Sequence, residues 1–178
     1  ENTGELEIIP NKFIVAGHSA GGGLAAAVTL KARDTGDVDV AFQMPIYPMI
    51  DDRQITESAK NIEVNVWNTK TNAFAWNFYL KDLKKNKKEI PVYAAPARNT
   101  EYKNFPPTIT FVGELEPFRD ETIAYVEALK KEGVPVIFKF YKGCFHGFDA
   151  FGPKSRIAED AINYTYKSYA KYYDTYVA

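Results

Sequence analysis

Gly17-His18-Ser19-Ala20-Gly21 has the form G-x-S-x-G and runs on into Gly22 and Gly23. A serine held in a sharp strand-to-helix turn presents its hydroxyl as a nucleophile for acyl transfer, provided that its neighbours are small. Gly17, Ala20 and Gly21 meet that need. Such a turn also leaves the N–H of Ala20 at a helix N-terminus, where a developing oxyanion is stabilised. The pattern alone is weak, because three common residues at fixed positions arise by chance in about one sequence of this length in twenty. Phosphate binding is the competing use of a glycine-rich turn, but Gly17, Gly21, Gly22 and Gly23 fit neither a phosphate loop nor G-x-G-x-x-G.

A serine nucleophile needs a base, and the chain has two histidines. His18 sits inside the serine turn and is read as a packing residue there. His146 stands in Gly143-Cys144-Phe145-His146-Gly147-Phe148, between two glycines. Where the nucleophile sits on a strand-to-helix turn, the chain order is serine, acid, histidine, which leaves His146 as the base. The acid that fixes its tautomer should follow an intervening strand. Gly113-Glu114-Leu115-Glu116-Pro117-Phe118-Arg119-Asp120-Glu121 offers four carboxylates. Asp120 and Glu121 read as charges at a helix N-terminus, with Asp120 as its cap. Glu116 and Glu114 remain as candidates.

The elements that must position these groups are legible as periodicity. Residues 12–17 form a short apolar run closed by glycine, as a buried parallel strand does. From residue 20 to about 33 the chain is apolar nearly all round, the mark of a buried helix, and Gly36 can end it. Residues 38–45 predict a second strand, with Val40, Phe42 and Met44 on one face. Residues 46–53 read as a loop, and 91–107, rich in Pro and Ala, as another. Residues 108–112 predict a third strand and 136–141 a fourth. Between them lies a helix with Ile123, Val126 and Leu129 as its apolar stripe, stopped by Gly133 and Pro135. A last helix starts near Pro153 or Ser155 and runs to about Tyr173, with Ile157, Ala161 and Tyr164 facing inward. This alternation predicts an α/β fold with a parallel sheet and right-handed crossovers. We expect one domain over 1–178, with an irregular helical excursion over 54–90.

Composition narrows the classes further. The 178 residues are 46% hydrophobic and 25% charged, ordinary globular values. A net charge of −1 supplies no field for nucleic acid or an acidic membrane. No apolar run is as long as a membrane span, and the polar, acidic opening Glu1 to Glu5 carries no signal-peptide pattern. One cysteine, Cys144, excludes an internal disulfide framework and fits a reducing, cytoplasmic compartment. It is expected to be a small buried side chain. Lys81, Lys84, Lys85, Lys87 and Lys88 read as a solvated helix end. Tyrosines 164, 166, 169, 172, 173 and 176 read as core and rim packing and leave room for a homodimer surface. Trp67, Phe74 and Trp76 serve equally as pocket lining or as core.

Taken together, these segments resemble the hormone-sensitive-lipase-like esterases of the α/β-hydrolase superfamily, and their bacterial acetyl-esterase-like members in particular. The resemblance rests on Gly17 to Gly22, Tyr47-Pro48-Met49-Ile50-Asp51-Asp52, Trp67 with Asn72 and Trp76, and Ala94-Ala95-Pro96-Ala97-Arg98. Pro106-Pro107, Gly113 to Glu121, Gly133-Val134-Pro135 and His146-Gly147-Phe148 complete it, all in order along nearly the whole chain. It implies hydrolysis of small-molecule esters with short, acetyl-like acyl groups, through a Ser-acid-His triad and an acyl-enzyme, without metal or organic cofactor. Ser19 and His146 match the family positions. The family acid precedes the proline, normally as Asp, and that position holds Glu116. The residue before the serine is usually Asp or Thr, where His18 stands. The family also carries a His-Gly-Gly-Gly oxyanion motif and several strands upstream of the serine turn. The expectation is therefore the C-terminal part of the fold: about four strands with flanking helices, the Ala20 N–H as half of an oxyanion hole, and a first strand at an open apolar edge. Two rivals stay in view. One is a non-catalytic binding homologue, as the plant gibberellin receptors are, although those have lost the histidine that His146 retains. The other is a peptidase of the wider superfamily.

Overall fold

The four apolar runs are the strands of one parallel sheet in a computed structural model, which describes residues 4, 5, 9 and 12–178. Residues 1–3, part of the polar opening, lie outside the described residues. The strands are β1 (Phe13–His18), β2 (Val40–Ile46), β3 (Thr108–Leu115) and β4 (Val136–Phe145), ordered β1-β2-β3-β4. Parallel neighbours require crossovers, and helices supply them. These are α1 (Ala20–Thr35) after β1 and α5 (Arg119–Lys131) between β3 and β4. Between α1 and α5 come α2 (Glu57–Asn61), α3 (Thr69–Tyr79) and α4 (Lys81–Lys85), and the short α6 (Phe148–Phe151) and long α7 (Arg156–Tyr176) close the chain. No helix among the described residues is long and apolar enough to cross a membrane.

Register brings the carboxyl ends of the strands together. His18 pairs with Ile46 and Leu115 with Phe145, so Ser19, Tyr47, Glu116 and His146 all emerge on one edge. This is where open parallel sheets place their ligands. One face of the sheet is covered by α7, whose Ala158, Ala161 and Tyr172 pack with Phe42, Ile109, Phe111 and Tyr141. Ala26 and Leu30 of α1 and Tyr125 and Leu129 of α5 form a second cluster with Ile50. A third gathers Met49, Trp76, Leu80 and Phe118 under α3.

Several expectations shift. Gly36, with φ 68, does end α1, but Leu24 and Val28 are exposed rather than buried. α7 starts at Arg156, capped by Ser155, and in its first turn Ile157 is 42% exposed while Ala158 is buried with Ala161. Asp120 does not cap α5. The N-cap position is Phe118, and the Asp120 carboxylate instead accepts the Ser58 N–H at 2.8 Å. Ser58 Oγ accepts the Asp120 N–H at 3.1 Å and donates to Pro117 O at 2.9 Å. A residue of α2 therefore caps α5, satisfying an orphan donor from a distance in sequence.

Glu121 stands in the first turn of α5, as expected, but not as a solvated charge. It is buried, and its Oε1 accepts the N–H groups of Ile50 at 2.8 Å and Asp51 at 3.1 Å. Burial pushes its carboxyl well above the ordinary range, against the pull of those two bonds. The folded state thus holds a proton that the unfolded chain has released, so stability is fullest below the unfolded carboxylate pKa and falls as pH rises through the window up to the raised one. Glu121→Gln keeps an oxygen for both N–H groups and has nothing to ionise. We expect its Tm to exceed that of the parent at pH 8 and the gap to close toward pH 4. A gap that is constant with pH would refute the assignment.

Candidate active site

Ser19 stands between β1 and α1 with φ 57 and ψ −120, a backbone that L residues rarely adopt. It persists because its surroundings over-determine it. Its N–H donates to Ile46 O at 3.0 Å, and its carbonyl accepts from both Gly23 and Met49, each at 3.0 Å. Close backbone approach makes this turn, and glycine permits it. A Cβ on Gly17 would lie 2.2 Å from Gly21 O, and one on Gly23 would lie 2.1 Å from Met49 O. Gly21, expected to be small for steric reasons, has open space at its Cβ position among the described residues, while Gly22 would meet Ile46 O at 2.9 Å. The constraint therefore falls on Gly17, Gly22 and Gly23. Ala20 opens α1, so its N–H is one of the four without an intrahelical acceptor.

His146 follows β4 directly, because that strand runs on to Phe145 rather than stopping at 141. Its ring is buried among Tyr47, Phe118 and Trp67, with centroids 4.9, 5.0 and 6.1 Å away. Nε2 lies 2.8 Å from Ser19 Oγ, and Nδ1 lies 2.6 Å from Glu116 Oε2. A carboxylate only accepts, so Nδ1 carries the proton and Nε2 is free to accept the Ser19 hydroxyl.

Glu116 is buried, and its Oε1 accepts the Gly113 N–H at 2.7 Å. Burial raises its carboxyl above the ordinary range, and the bonds from His146 and Gly113 offset part of that rise. The other candidate acid, Glu114, takes the Gly143 N–H at 2.7 Å. The structure therefore brings Ser19, His146 and Glu116 together with Ala20 beside them, and gives Glu114 a different partner.

The remaining singled-out residues sort by position. His18 is exposed and leans on Tyr47, with ring centroids 5.5 Å apart. Trp76 lines an apolar cavity of about 210 Å³ that opens beside Ala20, together with Gly23, Met49 and Tyr79. Trp67 contacts the His146 ring, whereas Phe74 is 71% exposed and touches neither. Cys144 is buried and unpaired, and burial pushes its thiol up, away from a reactive thiolate. The five lysines of the basic run are exposed. Two residues had been passed over as parts of a site: Tyr47, whose hydroxyl donates to Asp149 Oδ1 at 3.1 Å, and Asp149 itself. The sequence signal for Tyr47 is its place at the end of a strand and at the head of the Tyr47 to Asp52 segment; for Asp149 it is position alone, just beyond His146.

A family model described as "alpha/beta hydrolase fold" matches residues 1–150. Esterase LipI of Mycobacterium tuberculosis is 30% identical over 153 residues, which are 85% of this chain and 47% of that relative. Among solved structures, a bacterial heroin esterase superposes with a TM-score of 0.85 and 38% identity, covering 90% of this chain and 51% of its own. Esterase LipW from Mycobacterium marinum superposes with a TM-score of 0.86 at 25% identity, covering 99% and 54%. The chain spans about half the length of the curated relatives it matches.

Proposed function

The chain belongs to the α/β-hydrolase fold family, in its hormone-sensitive-lipase-like esterase branch, and on that footing we propose that the protein hydrolyses carboxylic esters with Ser19 as nucleophile, His146 as general base and acid, and Glu116 as the group that orients the imidazole. The observation that carries this reading is the unbroken line of contacts from Ser19 Oγ through both ring nitrogens to Glu116, at 2.8 and 2.6 Å. As Oγ bonds to the ester carbonyl carbon, its proton passes to Nε2. The carbonyl oxygen takes up negative charge against the N–H of Ala20 at the head of α1. Collapse of the tetrahedral adduct breaks the bond to the alkoxy oxygen, which receives the proton from Nε2. Water, deprotonated by the same nitrogen, then attacks the acyl-enzyme and returns Ser19 to its starting state. Glu116 accepts the hydrogen bond from Nδ1–H throughout and lowers the energy of the imidazolium.

The cavity beside Ala20 supports a preference for short acyl groups. An apolar cavity of about 150 Å³ is filled by benzene, so acyl groups beyond about six to eight carbons outgrow one of this kind, whose volume here is about 210 Å³. Short-chain esters are accordingly the proposed substrates. The proposal includes a small-molecule ester as the required partner, neither nucleic acid nor membrane as a partner, and a cytoplasmic setting. It leaves exposed Tyr166, Tyr169 and Tyr173 of α7 available to a second copy.

The test is a nitrophenyl ester series, from acetate to laurate, on the full-length protein beside a peptide amide. We expect kcat/KM to peak at about two to six acyl carbons and to fall at least about 10-fold by laurate. Faster cleavage of the amide would make the protein a peptidase. Binding of the esters without turnover would make it a non-catalytic homologue.

A further inference from the structure

We propose that Tyr47 and Asp149 form a positioning pair for His146, with the Tyr47 ring setting the plane of the imidazole and the Tyr47 hydroxyl tethering the segment that follows it. The inference rests on the reading of His146 as the base.

Tyr47 is the first residue past β2 and takes φ 34, strained backbone for a bulky side chain. Strain of that kind persists only where several contacts require it, and here they are identifiable. The Tyr47 N–H donates to Phe111 O at 3.0 Å, which ties it to β3. Its buried ring meets Phe111 edge to face at 5.2 Å and His146 at 4.9 Å with an interplanar angle of 77°. His18 lies 5.5 Å from it, centroid to centroid. The imidazole is thus held by an aromatic wall that is itself fixed to the neighbouring strand.

The hydroxyl does a second job. It donates to both Asp149 oxygens, at 3.1 and 3.3 Å. Asp149 lies in α6, which begins immediately after His146-Gly147, where Gly147 takes φ 72. A phenylalanine at 47 would pack against Phe111 and His146 as well as tyrosine does, so packing alone does not call for a hydroxyl. Its bond instead ties the end of β2 to the first turn after the base, across 102 residues of chain. One side chain therefore restrains both the ring of His146 and the backbone that carries it. The Ser19 to Nε2 distance depends on both.

Small displacements of a catalytic group are expensive: a misplacement of about 1 Å can lower a rate about 100-fold. Loss of one tether should displace less. In the full-length protein assayed on nitrophenyl acetate, we expect Tyr47→Phe to lower kcat about 10-fold with KM within about twofold of the parent. Asp149→Ala reads the same bond from its half-exposed end and should match it. The double variant should lose no more than either single one, because both remove one interaction. Asp149→Asn, whose amide oxygen still accepts the phenol O–H, should recover most of the rate. Parent-like kcat in Asp149→Ala, additive losses, or a rise in KM in place of the fall in kcat would each overturn the pair. Should Tyr47→Phe fail to fold, the Asp149→Ala and Asp149→Asn comparison decides alone. Ser19→Ala run in parallel separates the two levels. If it keeps turnover, the nucleophile reading falls; if it is inactive while Asp149→Ala is unimpaired, only the positioning role falls.

Discussion

Ser19→Ala in the full-length protein is expected to lower kcat on a short-chain nitrophenyl ester by about 10⁶-fold, as large an effect as any single substitution gives here. No other described group is placed to replace the lost oxygen. The Cys144 sulfur is buried in the core, its thiol is raised by burial, and its one hydrogen-bond partner among the described residues is Lys142 O at 3.7 Å. The fold should survive, because the bonds that hold the turn are made by the backbone of residue 19, to Ile46, Gly23 and Met49. Alanine is also no worse suited than serine to φ 57. Covalent capture by a fluorophosphonate should disappear with turnover, while Tm changes little. Turnover at the parental rate in a folded Ser19→Ala protein would end the nucleophile assignment.

Glu116→Gln comes next, with an expected fall in kcat of about 10⁴-fold. The substitution is nearly isosteric, and the amide oxygen can still accept the Gly113 N–H that Glu116 accepts at 2.7 Å. What changes is the face turned to the ring. An amide N–H pointed at Nδ1 favours the tautomer with its proton on Nε2, and that nitrogen can no longer take the Ser19 proton. The parent carries a pH signature of the same group. Burial raises the Glu116 carboxyl, and protonating it removes the acceptor for Nδ1. Activity should therefore decline as pH falls through a region above the ordinary carboxylate range, and recover as pH rises. Glu116→Gln should be inactive at all pH values from 5 to 9, roughly, and a full rate at high pH would refute the orienting role.

How much of this could be read from the residues differs element by element. The serine turn could be, because a strand closed by glycine, a small-residue turn and an apolar helix are all contiguous. The helix stop at Gly36 was legible for the same reason. The position of β4 was legible but its length was not. The apolar run thins after Tyr141, yet the backbone stays paired to β3 as far as Phe145, across a register shift between Gly113 and Leu115. That extension delivers His146 to the sheet's edge. Periodicity misjudged Ile157: it shares a stripe with Ala161 and Tyr164 but lies in the first turn of α7, where Ala158 rather than Ile157 is covered. Glu121 does stand in the first turn of α5, but its burial was not legible, since a carboxylate there looks the same in sequence whether water or protein covers it.

The sequence by itself determined the chemistry on offer and the local elements that bear it: Ser19 on its turn, His146 as the histidine that follows in the required order, and an alternation that can only make a parallel sheet. Those features depend on spacings of a few residues, where steric rules act directly on the chain. Tertiary structure decided which groups meet. Ser19 and His146 are 127 residues apart and His146 and Glu116 are 30 apart. Glu116 rather than Glu114 faces the ring, Ser58 caps α5, and Asp149 reaches Tyr47. Each outcome depends on strand register and helix packing to within an ångström or so, and burial, which sets the ionisation of Glu116 and Glu121, is a property of what covers a group.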